Sequence, residues 1–135
     1  MEWFIQNDAL PRMEAGEAMI WVIVLKDAPD EAVGVIDARF KESEGGNRGF
    51  WLGEPFWNHG YMTEGVTAVQ DYYFFELGMD KLIVTNAKSN IGSRRIKEKT
   101  GAKFLGYHEL PHHSGDNESE KWEITREGWA AFRKA

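Results

Sequence analysis

The stretch "GFWLGEPFWNHGYMTEG", residues 49–65, is where the chain turns from strand into helix. Ahead of it, apolar residues alternate or come in short blocks. Behind it, Val66, Val69, Tyr73 and Leu77 recur at helical spacing, and Gly78 stands at the expected C-cap. The junction itself is crowded, with Asn58 and His59 before Gly60 and with Thr63 and Glu64 after it. A plain strand-to-helix connection has no need of that. The first turn of a helix carries N–H groups without intrahelical partners, at the positive end of the helix dipole. A glycine there leaves no Cβ between those groups and a ligand. Strand, glycine and helix start therefore read either as a phosphate cradle or as a tight turn that needs glycine, and one glycine does not choose between them.

Working outward toward the N-terminus, residues 1–15 have the pattern of a modest helix interrupted by Pro11. "AMIWVIVL" (18–25) is apolar on both faces and rich in β-branched residues, which predicts a buried strand, and "KDAPDEA" (26–32) predicts a turn. "VGVIDARFK" (33–41) alternates, with Ile36, Ala38 and Phe40 on one face and Asp37 and Arg39 on the other. "ESEGGN" (42–47) is a hairpin turn, and "RGFWL" (48–52) is the third strand. Toward the C-terminus, "KLIVTNA" (81–87) is a short apolar strand, and "SNIGSRRIKEKTG" (89–101) is a helix with Asn90 as N-cap and Gly101 as its stop. "KFLGYHEL" (103–110) and "EKWEIT" (120–125) are strands joined by a polar loop over 111–119, and "REGWAAFRK" (126–134) closes in a helical turn or two. Helices interrupt the strands only in the middle. That order implies a mixed sheet, antiparallel at first and then with one parallel crossover.

A length of 135 residues leaves room for one sizeable core, so residues 1–135 read as a single domain. Six tryptophans imply a core built on large flat side chains. Cysteine is absent, which excludes disulfides, thiolate zinc sites and a thiol nucleophile and fits a reducing, cytoplasmic setting. The start lacks a basic leader with an apolar run, and residues 18–25 are too few to cross a bilayer, so no membrane is expected. A net charge of −6 argues against general nucleic-acid binding. Yet residues 88–103 hold Lys88, Arg94, Arg95, Lys97, Lys99 and Lys103 against Glu98 alone. A compact basic segment in an acidic chain suits a small polyanionic ligand.

That segment lies within a second constellation, "NAKSNIGSRRIKEKTGAKFLG" (86–106), in which an asparagine opens a helix, a serine follows three residues on, and a glycine ends it. With residues 49–65 it resembles the GNAT N-acetyltransferase superfamily, and within it the branch containing the ribosomal-protein alanine N-acetyltransferases. The likeness covers about residues 18–130, with both motifs in the right order and at the right separation. The resemblance implies an α+β fold, a mixed, mostly antiparallel splayed sheet flanked by helices, here shortened because the family's usual first strand and helix are missing. It implies acetyl-CoA as co-substrate and no metal.

Carried over by residue, the family's pyrophosphate loop, Q/R-x-x-G-x-G/A, falls on Trp57, Asn58, His59, Gly60, Tyr61 and Met62, with Thr63 next. Trp57 stands for the polar first residue and Met62 for the usual small one. The strand carrying Trp51 and Leu52 would show its backbone to the pantetheine arm, where the sheet splays from "LIVT" (82–85). Asn90 matches the helix-opening asparagine that contacts the acyl-CoA arm. Beside a coenzyme with a 3′-phosphate, Arg94, Arg95 or Lys99 gains a role. Many members place a tyrosine, as acid for the departing thiolate, four residues before the helix-end glycine; here that position is Lys97. The ribosomal-protein branch uses a serine eight residues before it, which is Ser93.

An amine attacking a thioester needs to be neutral, needs its oxyanion stabilised, and needs a proton delivered to sulfur. The backbone N–H of Leu52 or Gly53 is a candidate for the oxyanion and Ser93 for the proton, although a serine near a helix start is unremarkable by itself. Glu54 is the first candidate for the base, set against an acidic residue that merely precedes Pro55 in a turn. Asp37 and Glu109 are the alternatives. His108, His112, His113 and Asp116 straddle Pro111 without a recognised ligand spacing, which suits a solvated loop near substrate better than a metal site.

The expected function is N-acetyl transfer from acetyl-CoA to a primary amine, on a small molecule or a peptide. The rival is a non-catalytic acyl-CoA-binding or interaction module on the same fold. With no strand before it, residues 18–25 would form a flat apolar sheet edge that invites pairing, so a homodimer is expected.

Overall fold

The computed structural model describes residues 18–40, 47–109 and 118–134. The helix expected in residues 1–15, the hairpin turn before Asn47 and the polar loop over residues 110–117, with His112, His113 and Asp116, lie outside them. The described elements are β1 (Ala18–Leu25), β2 (Ala28–Arg39), β3 (Arg48–Leu52), α1 (Tyr61–Asp71), β4 (Lys81–Ala87), α2 (Ile91–Lys99), β5 (Lys103–Glu109), β6 (Glu118–Thr125) and α3 (Arg126–Lys134). A 3₁₀ turn over Glu54–Phe56 precedes α1, and a π-helical turn, Tyr72–Glu76, extends it. No helix among the described residues is long and apolar enough to cross a membrane.

The strands form two antiparallel triplets, β1-β2-β3 and β4-β6-β5. β2 is longer than its alternation predicted, because residues 28–32 continue it instead of turning. The ladder absorbs them through irregularities at Ile23/Val24 and Val24/Leu25, which leave Pro29 with no ladder bond to supply. β1 is not buried on both faces as expected. Trp21 and Ile23 pack inward, while Val22 and Val24 are 45% and 44% exposed on the other face.

Two clusters form the core. Ile36, Met62, Val66 and Val69 pack with Phe50, Leu52 and Ile96, joining β2 and β3 to α1 and α2. Tyr73, Phe74, Leu82, Val84, Trp122, Ile124 and Trp129 join the π turn and α3 to the second triplet. Buried indoles keep their N–H groups paired, Trp122 with Asn86 Oδ1 at 3.0 Å and Trp129 with Asp71 Oδ1 at 2.9 Å. Gly78, with φ of +68°, ends the α1 extension as expected. Met79 N–H reaches back to the Tyr73 carbonyl at 3.2 Å, the wide loop of a left-handed helix cap.

Among the described residues, Asn47 ties the two triplets together by hydrogen bonds. Asn47 N–H donates to the Ile83 carbonyl at 2.6 Å, and Ile83 N–H donates to Asn47 Oδ1 at 3.1 Å. Beyond that residue β3 pairs with β2 and β4 with β6. The strand–helix–strand crossover is therefore present, but its two strands separate instead of forming the expected parallel pair. That separation is the splay expected between "FWL" and "LIVT".

Candidate active site

Register fixes what the split exposes. In an antiparallel pair the residues alternate between exchanging both backbone bonds and turning them away. Arg39 N–H donates to Asn47 O at 2.6 Å and Gly53 N–H to Val33 O at 2.9 Å. Residues 47, 49, 51 and 53 are thus the ones bonded to β2, and Phe50 and Leu52 turn their backbone groups toward β4. On the opposite wall, Lys88 N–H bonds to Glu118 O at 3.0 Å, so the even positions of β4 face β6 and Ile83 faces β3. One expectation fails here. Gly53 N–H is committed to Val33 and is no oxyanion donor, which leaves Leu52 N–H. The Leu52 carbonyl is in turn held by Trp57 Nε1 at 2.7 Å, so Trp57 is a brace for the end of β3.

Beyond that brace the chain enters α1 through two left-handed residues, Asn58 (φ +63°) and Gly60 (φ +79°). Gly60 is the N-cap, and no side chain caps the helix; the first intrahelical bond is Glu64 N–H to Gly60 O at 3.0 Å. The N–H groups of Tyr61, Met62 and Thr63 therefore point out of the helix end. Among the described residues nothing lies within 4 Å of where a Cβ on Gly60 would sit, so the helix start is open on that side. Met62 does not block it: its side chain is buried among Ile36, Val66 and Val69. His59 and Tyr61 stack beside the opening, their rings 5.3 Å apart and 13° from parallel. An anionic group with several oxygens fits this end by dipole and by donor count.

The second constellation folds as read. Asn90 Oδ1 accepts from Ser93 N–H at 3.0 Å, capping α2, and Gly101 ends it at φ +80°. The cap occupies Asn90's oxygen and leaves its amide NH₂ as the group that could meet a ligand. Ser93 is half-buried, and its Oγ accepts a 2.7 Å hydrogen bond from Lys97 Nζ. Arg94 is otherwise engaged. Its Nε donates to Glu120 Oε1 at 2.8 Å and its Nη2 to the Lys88 carbonyl at 2.9 Å, so it braces β6 against β4. Arg95 and Lys99 are exposed.

Trp51 projects from the opposite face of β3 and is 55% exposed. Glu54 is exposed in the 3₁₀ turn that follows β3, two residues beyond Leu52. Asp37 is paired with Arg39 at 3.4 Å. The side chains of His108 and Glu109 lie outside the described residues. Among the described residues, no three His, Asp or Glu side chains form a group that could hold a metal.

Residues 1–103 match the family model of the acetyltransferase (GNAT) domain. The chain belongs to the GNAT family. A curated relative, the FsC-acetyl coenzyme A-N(2)-transacetylase of Aspergillus fumigatus, is 29% identical over 90 residues. That match takes in 64% of this chain and 38% of the relative, so the chain spans well under half of the fungal protein's length. Among solved structures, a ribosomal-protein-S5-alanine acetyltransferase from Vibrio fischeri superposes with a TM-score of 0.79 at 16% identity, over 95% of this chain and 73% of that one. A microcin C7 self-immunity acetyltransferase in complex with acetyl-CoA and AMP superposes with a TM-score of 0.73 at 15% identity, over 90% and 68%. At such identities the two structures speak for the fold, which is the GNAT fold expected from the two motifs.

Within this GNAT domain the sequence did not reveal that two cations are buried beside the split. Lys97 is 1% exposed and Arg48 4%. Both lie against the Phe50 ring, 5.3 Å and 5.8 Å from its centroid. Arg48 Nη1 donates to Gln70 Oε1, while its Nε and Nη2 are buried without a hydrogen-bond partner among the described residues. Burial pulls the Arg48 pKa down to about 10 against the attraction of Asp37. Burial, then repulsion from Arg48, pulls Lys97 well below the usual lysine range, with Glu120 opposing. Two spacings carried the signal. Arg48 shares its β3 face with Phe50 and Leu52, and Lys97 shares its α2 face with Ser93 and Thr100.

Proposed function

We propose that this chain transfers acetyl from acetyl-CoA to a primary amine by direct attack, as one acyltransferase domain. The observation that carries this is the open, uncapped start of α1 standing beside a sheet split along Phe50 and Leu52. The donors at Tyr61, Met62 and Thr63 suit the pyrophosphate, the backbone of β3 suits the pantetheine amides, and Arg95 or Lys99 suits the 3′-phosphate. Leu52 N–H would stabilise the oxyanion. Ser93 would protonate the thiolate, and Glu54 would take the proton from the amine. The test is release of CoA from acetyl-CoA across a panel containing a peptide N-terminus, a polyamine, an aminoglycoside and free amino acids. Release that depends on one class of acceptor is the expected result. Tight CoA binding with no release for any acceptor favours the binding module instead.

The amine's own pKa decides how much Glu54 matters. An α-amino group, at about 7.7–8, is partly neutral at pH 7, whereas a lysine-like amine near 10.4 is not. Glu54→Gln is expected to slow acetylation of a lysine-like amine about 100-fold and of an α-amine under about tenfold. Equal, small effects on both would assign the base elsewhere.

The acidic, cysteine-free composition suits a cytoplasmic protein that binds neither nucleic acid nor membrane. A two-fold homodimer is part of the proposal. Among the described residues β1 pairs on one side with β2, and it carries exposed Val22 and Val24. Light scattering coupled to size exclusion is expected to give twice the chain mass at tens of micromolar. A monomer of 15.5 kDa would show that the edge is covered from within the chain.

A further inference from the structure

We propose that Lys97 is the positioning residue for Ser93, its ammonium holding the serine hydroxyl so that the hydroxyl proton is directed into the split and away from the helix. The inference rests on Ser93 being the donor to the leaving sulfur. What carries it is a set of contacts that an ordinary surface lysine lacks. Lys97 is folded inward from α2, and its Nζ ends 2.7 Å from Ser93 Oγ, one helical turn earlier on the same face. An ammonium has three protons and no lone pair, so in this bond Ser93 must be the acceptor. One lone pair of Oγ is taken by Lys97, and the serine's own proton is left for a different partner.

The surroundings explain why the lysine points at the serine. Arg48 reaches in from β3 and repels it, and both cations lie against the Phe50 ring. Glu120, from β6, is the carboxylate that attracts it, but Oε1 of Glu120 already accepts from Arg94 Nε and from Asn86 Nδ2, each at 2.8 Å. Gln70, from α1, is neutral and is held by Arg48 and by the Thr100 carbonyl at 3.1 Å. A buried cation with no carboxylate in contact among the described residues is costly to keep. Burial also leaves the ammonium readier than usual to give up a proton.

During transfer the amine nitrogen bonds to the acetyl carbon and the carbon–sulfur bond breaks, its electron pair leaving with sulfur. The Ser93 proton moves to that sulfur. A Lys97 proton replaces it on Oγ, and the neutral amine left on Lys97 is refilled by the proton that the acylated nitrogen sheds to Glu54 or water. Lys97 itself touches neither substrate.

The test needs no known acceptor. The ultraviolet absorbance of the thiolate is followed against pH for CoA bound at saturation to the full chain. Free CoA, titrated alongside, gives the reference value, and the Ser93–Lys97 pair is expected to lower it for the bound thiol. Ser93→Ala and Lys97→Met are each expected to raise it by about one pH unit, the size of one charge-assisted hydrogen bond. The double variant is expected to show no more than the larger single shift, because both act on one hydroxyl. Lys97→Gln, a neutral donor, is expected to give a smaller shift in the same direction and serves if Lys97→Met does not fold. A shift for Ser93→Ala with none for either Lys97 variant overturns the Lys97 proposal and leaves Ser93 as donor. Shifts that add in the double variant also overturn it, since Lys97 would then act on sulfur by itself. No shift for Ser93→Ala removes the serine's role, and the lysine's with it.

Stability reports the burial of Lys97 independently of its role. With its folded pKa below the unfolded one, Lys97 makes folding less favourable at pH values where the unfolded chain binds the extra proton. Wild-type stability should rise as pH climbs from the lowered folded pKa toward the ordinary 10.5. Lys97→Met should be the more stable protein at neutral pH, with the advantage shrinking over that window.

Discussion

Ser93→Ala is expected to lower turnover about 100-fold or more while leaving CoA affinity nearly intact, the pattern of a lost general acid. The substitution is cleaner than a helix-start serine usually allows. The cap on α2 runs from the Ser93 backbone N–H to Asn90 Oδ1, and alanine keeps that N–H. What is removed is Oγ, and with it the hydrogen-bond acceptor of a buried ammonium. That loss has a stability consequence of about 1–3 kcal/mol, so thermal unfolding belongs beside the kinetics. Turnover that survives while affinity falls would make Ser93 a binding residue. A fall in both, in step with lost folding, would mean that Oγ serves chiefly to satisfy Lys97.

Substitution at Gly60 is expected to weaken CoA binding tenfold or more, about 1.4 kcal/mol, without touching the chemistry on α2. Valine adds bulk to the open space before the α1 donors, but its branched Cβ also resists a φ of +79°. Gly60→Asn separates the two effects, because asparagine tolerates the left-handed region and still fills the space. Both variants are expected to lose affinity by calorimetry. If only Gly60→Val does, the glycine is there for its backbone angle and the pyrophosphate lies elsewhere.

Local chemistry made the turning points of this fold readable. Gly60, Gly78 and Gly101 each have positive φ at a helix end, and Asn90 caps the helix it was expected to open. Signals of this kind act within four residues, so one sequence suffices to see them. The failures concern distant partners. Gly53 N–H was unavailable because Val33, twenty positions earlier in the chain, accepts it. Residues 28–32 looked like a turn because Pro29 and the acidic pair after it favour one, and only the bulged pairing with β1 carries them into a strand. The run of cations in residues 88–103 was correctly seen as unusual, but its total says nothing of direction. The one charge that turns inward, Lys97, was distinguishable only by its spacing from Ser93 and Thr100.

A structure of the protein with CoA bound tests the central claim most directly. The claim predicts pyrophosphate oxygens within hydrogen-bond distance of the Tyr61, Met62 and Thr63 N–H groups, the pantetheine arm along Phe50 and Leu52, and the sulfur beside Ser93 Oγ. CoA held by other residues, or seated at α1 with its thiol turned away from Ser93, would contradict it.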